Sequence, residues 1–274
     1  MTENDTRQLS IVAIALVALL ACLVGLTKLS RRARPAAAAA SSSAPKPTPL
    51  EPLTAPGWLV ELEVPGHAPS FVAVPLGARE PRPLWIALHG GADRAEWACG
   101  TWTGVAKSRP FVLCPRGVSV GDRFGWGDQA EVERELRAAL KALKARFGKH
   151  VASGPVVLAA FGAGVKHALE IARREPAFFN RMVLVGAEPE TWSAGKAAVY
   201  AKSGGTRALF VVSDPESRGA ASTYWLFARG TGLDTKLLDL GERGLVLDAD
   251  VARGIGAELD WLVAGEPMYA SGAK

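Results

Sequence analysis

The side chains that could do chemistry are few. The 274-residue sequence holds four histidines, His67, His89, His150 and His167, and three cysteines, Cys22, Cys99 and Cys114. Nucleophilic hydrolysis needs a hydroxyl or thiol whose proton is taken by a positioned base. No histidine follows His167, so every imidazole base must come from the first two thirds of the chain. His67 falls in the turn sequence Pro65-Gly66-His67, His150 in a loop, and His167 in a helical stretch, all bland settings. No group of His, Cys and carboxylates has metal-ligand spacing, which predicts no metal. The run Ala160-Phe161-Gly162-Ala163-Gly164 lacks the Lys-Ser/Thr of a phosphate-binding loop and the spacing of a dinucleotide fingerprint, so no cofactor is expected.

The elements that must position these residues alternate. Trp58–Val64 alternates apolar and polar residues, and Ser70–Pro75 follows the turn at Pro65-Gly66-His67, which reads as an antiparallel hairpin. Leu84–Leu88, Phe111–Cys114, Val156–Phe161, Arg181–Val185, Ala208–Val212 and Leu237–Leu240 are short apolar runs that suit strands covered on both faces. Helical periodicity is strongest over Ala130–Phe147, with Val132, Leu136, Leu140, Leu143 and Phe147 on one face. Gly164–Arg174, Ser222–Arg229 and Val251–Val263 are further helices. The alternation predicts a three-layer α/β domain with a mixed, mostly parallel sheet.

This order carries His89-Gly90-Gly91 after the third strand, AFGAG after the fifth and Asp214 after the seventh, and it resembles the α/β-hydrolases. The similarity is greatest to small esterases and polyester or feruloyl esterases, and it covers about Trp58–Val263. In that family the fifth strand ends in a small-x-nucleophile-x-small turn. Here the nucleophile position falls on Gly162. No alternative alignment restores a nucleophile, because residues 154–169 contain no Ser, Thr, Cys or Asp. The family's histidine position, after the last strand, falls on Leu245 within Gly241-Glu242-Arg243-Gly244-Leu245. Asp214 matches the triad acid but also suits a turn or helix cap. The resemblance therefore implies the fold with vestigial positions Gly162, Leu245 and Asp214, and a binding or scaffold module without turnover. The reading kept beside it is a carboxylic-ester hydrolase with a non-standard set, such as Cys114 or Asp214 with His89.

The family's oxyanion site maps to Ala163 and to the Gly90–Ala92 loop, making Gly90, Gly91 and Ala163 candidates for binding a carbonyl or anion. His89 packs beneath that loop in the family. Trp97, Trp102 and Trp126 follow the third and fourth strands, where α/β sheets bind ligands, and are candidates for stacking on a sugar, aromatic acid or peptide. Cys99 and Cys114 fall on neighbouring segments, as two buried thiols or as a disulfide.

The 19-residue run Leu9–Thr27 is uncharged and long enough to span a bilayer. It is expected to be an uncleaved anchor, with a lipoprotein site at Cys22 and a cleaved signal as the other readings. Residues 1–8 form a short tail, 28–57 a basic then Ala/Ser/Pro-rich linker, 58–265 the domain and 266–274 a C-terminal tail. The basic cluster Lys28, Arg31, Arg32 and Arg34 argues for a cytoplasmic domain. The linker and the cysteine pair argue for the extracytoplasmic, periplasmic side, which is the expectation taken. The net charge of +5 is not a nucleic-acid signature. Residues 1–50 hold six basic residues against Glu3 and Asp5, leaving 26 of 32 basic and 25 of 27 acidic residues in the remainder. The expected partners are the membrane, through residues 9–27, and an unidentified small-molecule or protein ligand.

Overall fold

The computed structural model describes residues 48–270. The expected anchor at 9–27, Cys22, and residues 28–47 and 271–274 lie outside the described residues. In chain order the elements are β1 (Leu59–Leu62), β2 (Ser70–Ala73), β3 (Leu84–Leu88), α1 (Ala95–Val105), β4 (Phe111–Cys114), β5 (Val118–Val120), β6 (Arg123–Gly125) and α2 (Gln129–Phe147). There follow β7 (Val157–Phe161), α3 (Gly164–Arg174), β8 (Arg181–Val185), α4 (Ala194–Lys202), β9 (Arg207–Val212), α5 (Pro215–Arg229), β10 (Asp234–Asp239), α6 (Ala249–Ala257), α7 (Leu259–Leu262) and α8 (Pro267–Ala270).

One eight-stranded sheet runs β1-β2-β4-β3-β7-β8-β9-β10. β2 is antiparallel to both β1 and β4, and every other pair is parallel. The apolar runs build this sheet because each strand must feed two cores. In β3, Leu84, Ile86 and Leu88 enter one core, while Trp85 and Ala87 enter the other, as period-two alternation requires. Helices α2, α3, α4 and α5 cover the first face. Helices α1, α6 and α7 cover the second. The three-layer sandwich with a mixed, mostly parallel sheet is thus as the sequence implies.

Several elements depart from the sequence reading. The segment carrying Trp97 and Trp102 is a helix, α1, rather than a loop. It buries Ala95, Ala98, Cys99, Trp102 and Val105 on one side. Helix α4 and the hairpin β5–β6 are further elements not foreseen. α5 begins seven residues before the expected Ser222, because Asp214 caps it and Pro215 occupies its first turn. The last expected helix breaks into α6 and α7 at Glu258.

The boundaries of the folded body are also wider than 58–265. Leu53 is buried in the core, and its N–H donates to the Ala78 carbonyl at 2.9 Å, so the end of the expected linker belongs to the domain. At the other end, Glu266 pairs with the buried Arg181 of β8. The Trp85 indole of β3 donates to the Tyr269 hydroxyl at 2.6 Å. Among the described residues no helix is long and apolar enough to cross a membrane.

Candidate functional site

β7 ends at Phe161, and the chain turns at Gly162 into α3. Gly162 has φ of +50°, a conformation that residues with a Cβ resist. The turn is pinned on both sides. The Gly162 N–H donates to the Val185 carbonyl and its own carbonyl accepts from Val165, each at 2.9 Å. At Gly164 a Cβ would stand 2.7 Å from the His89 carbonyl and 2.8 Å from that of Leu88. Only a residue without a side chain lets α3 start this close to β3.

Position 245 comes to the same place. A Cβ on Gly162 would lie 3.8 Å from Leu245 Cδ2, at ordinary contact distance. The Leu245 side chain therefore stands beside the elbow, where it offers carbon and no nitrogen. The third matched position has another task. Asp214 is buried, and its Oδ1 accepts from the Ser217 N–H at 2.8 Å as the N-cap of α5. The loop leading to Leu245 runs past it, since the Arg243 N–H donates to the Ser213 carbonyl at 2.7 Å.

The loop after β3 closes over the elbow. A Cβ on Gly162 would be 3.7 Å from the Gly90 Cα, and a Cβ on Gly91 would be 3.5 Å from the Ala163 Cβ. The structure therefore gathers Gly90, Gly91, Gly162 and Ala163 at the C-terminal ends of β3 and β7. One candidate donor is already engaged, because the Gly90 N–H faces the Asp93 carboxylate at 3.4 Å. Ala92, between them, has φ of +48°.

No family model and no curated protein sequence matches the chain. Solved structures do. Est1E from Butyrivibrio proteoclasticus is 11% identical, with 76% of this chain and 98% of that one aligned at a TM-score of 0.56. A predicted CIB-like hydrolase of Thermoplasma acidophilum is 14% identical, over 74% and 96% of the two chains, at 0.53. A ferulic acid esterase is 11% identical, over 74% and 95%, at 0.51. The chain has the α/β-hydrolase fold.

Within this fold three of the four histidines and both described cysteines are engaged by other groups. His89 is fully buried, and its ring nitrogens lie 2.7 Å and 2.8 Å from the carbonyl oxygens of Gly90 and Arg116. His167 is 4% exposed, and its Nδ1 lies 2.8 Å from Gln129 Oε1. Burial, reinforced by Lys166, lowers the His167 pKa to about 4. His150 is held by the Glu51 carbonyl at 2.9 Å. Among the described residues no histidine nitrogen is hydrogen-bonded to a hydroxyl or a thiol. Cys99 and Cys114 are joined by a disulfide that ties α1 to β4, with their Cα atoms 5.8 Å apart.

The three candidate tryptophans divide. Trp102 is fully buried, which corrects its place among ligand-stacking residues: it faces inward from α1 and packs on Trp85. Trp126 is half-buried, stacks on the His89 ring at 4.4 Å and donates its N–H to the His89 carbonyl at 2.8 Å. It props the loop. Trp97 alone is open, at 56% exposure, and it borders a cleft of about 370 Å³ with Gly91, Phe161 and Leu245. The sequence reading missed Asp93, Arg123 and Val246, which line the same cleft. Asp93 sits two residues beyond His89-Gly90-Gly91, and that proximity was the available clue.

Proposed function

We propose that this is a membrane-tethered protein of the α/β-hydrolase fold that binds a ligand over Gly162 and does not hydrolyse it. The observation that carries this reading is the Leu245 side chain standing against Gly162. A glycine and a leucine cannot attack a carbonyl or accept a proton, and without both partners only binding and electrostatic stabilisation remain. The cleft is bordered by Trp97, Phe161, Leu245 and Val246, which favours an apolar or aromatic ligand. The disulfide supports placing the domain outside the cytoplasm. The apolar run 9–27 supports the tether.

The names of the similar proteins favour a second reading, a carboxylic-ester hydrolase with a non-standard catalytic set. Its candidate residues are otherwise engaged: Cys114 in the disulfide, Asp214 as a cap and both His89 nitrogens on carbonyl oxygens. Treating the purified chain with a fluorophosphonate probe and a panel of short-chain esters separates the two. No labelling and no turnover are expected, and activity abolished by a single point substitution would sink the non-hydrolytic reading. Thermal shifts with sugars, aromatic acids and peptidoglycan fragments then identify the ligand class. Protease added to intact spheroplasts is expected to cut the linker at 28–47 and release the domain; release only after lysis would place it in the cytoplasm.

A further inference from the structure

Eight large apolar side chains are exposed among the described residues: Trp58, Leu76, Trp97, Val120, Val199, Leu226, Leu245 and Val246. Four of them gather on one side. Trp97, Leu245 and Val246 stand around one cleft mouth, at 56%, 48% and 37% exposure. Trp58 extends the patch along α1, its ring 3.8 Å from the position a Cβ on Gly100 would take. A contiguous exposed apolar patch marks a surface that something covers.

We propose that this patch seats the domain on the surface of the bilayer that holds residues 9–27, with the cleft mouth facing the lipid. The inference rests on the tethered reading above. Residues 28–47 separate the end of the apolar run from the first described residue, Thr48. A chain of that length reaches at most about 70 Å, so the domain stays close to the membrane. A weak apolar contact is then sufficient, because tethering makes the second contact effectively intramolecular. The residue types fit the headgroup boundary, where tryptophan rings settle with one end apolar and one end wet. Cations lie at the same level. The Arg94 guanidinium is 5.2 Å from the centre of the Trp97 ring, and Arg123 is on the cleft wall. Each is partly engaged, Arg94 with the Glu96 carboxylate at 3.8 Å and Arg123 with the Ala92 carbonyl at 3.2 Å, and Asp93 and Asp248 share the cleft wall, so the rim carries both signs and suits a zwitterionic headgroup.

The test uses the full chain in phosphatidylcholine vesicles doped with a phosphatidylcholine that carries a diazirine in its acyl chain. After irradiation and digestion, lipid adducts are mapped by mass spectrometry. Adducts are expected in residues 9–27 and in the peptides holding Trp97 and Leu245–Leu247, with those holding Leu76, Val199 and Leu226 unlabelled. The pair Trp97→Glu and Val246→Glu, both at exposed positions, is expected to remove at least nine tenths of the domain adducts and leave those in 9–27. Adducts confined to 9–27 overturn the docking and leave the tether standing. Adducts nowhere overturn both. Equal labelling of all eight exposed residues means random collision and also overturns the docking.

Discussion

At residue 162 the backbone turns at φ of +50°, a conformation that glycine adopts without steric cost. Any Cβ there is strained by about 1–2 kcal/mol, so a glycine stabilises the turn that a nucleophile would strain. Gly162→Ser alone is expected to leave fluorophosphonate labelling at background, because Leu245 cannot take the proton. Adding Leu245→His places an imidazole beside the new hydroxyl, and slow labelling by the same probe is the expected gain. His167 gives a prediction of a different kind. Its buried Nε2 has no partner among the described residues, and its folded pKa is held near 4, below the ordinary 6.5. The unfolded chain therefore takes up a proton that the fold refuses. Stability is complete above about pH 6.5 and falls as pH drops toward 4, by about 3 kcal/mol over that window. Urea unfolding at pH 7 and pH 4.5 is expected to show this loss, and His167→Gln to flatten it. The lack of a hydroxyl or thiol around 162 and of a histidine after 167 was legible in the sequence, because it rests on missing residue types; the structure adds that Gly162 and Leu245 lie side by side. The fates of Trp102 and Trp126 were not legible, because a tryptophan's identity does not say whether it faces a core or a cleft.

The disulfide couples α1 to β4 across a separation of 15 residues. A closed loop of that size stabilises the fold by about 3 kcal/mol in the chain-entropy account. Both sulfurs belong to fully buried residues, so reductant acts only when the domain opens. Cys99→Ala with Cys114→Ala is expected to lower the thermal midpoint by several degrees, measured by circular dichroism against the parent chain. The sheet strands were readable because β3, β4, β7, β8 and β9 are nearly unbroken apolar runs, a pattern that double-sided burial imposes. α1 was not. Its cap position, Arg94, makes no side-chain hydrogen bond, and Gly100, Thr101, Thr103 and Gly104 are poor helix formers. Packing against the sheet makes that helix. The β5–β6 hairpin carried a local sign that went unread, since Gly121-Asp122 between alternating residues is a two-residue turn sequence.

Across the described domain, residues 262–269 close the fold. Arg181 lies in β8, inside the sheet, with its side chain 5% exposed. It donates to the Leu262 carbonyl at 2.7 Å, to the Ala264 carbonyl at 3.1 Å and to the Glu266 carboxylate. Removing one partner of a buried ion pair costs about 3–5 kcal/mol, so Glu266→Gln is expected to lower the urea midpoint markedly, whereas Glu80→Gln, in an exposed pair, leaves it nearly unchanged. Sequence pattern assigned 266–274 to a tail because four polar or aromatic residues beyond a helix carry no periodicity. The contact that binds them is more than 80 residues away in the chain. This latch also has a bearing on synthesis. Until residues 262–266 leave the ribosome, a guanidinium at the heart of the sheet has neither its carboxylate nor its carbonyls. Ribosome-stalled nascent chains with Val263 as the last exposed residue are expected to be cut rapidly by protease, and those extended past Tyr269 to resist. The domain thereby stays pliable throughout most of its own synthesis, and locks only when its final contacts have emerged.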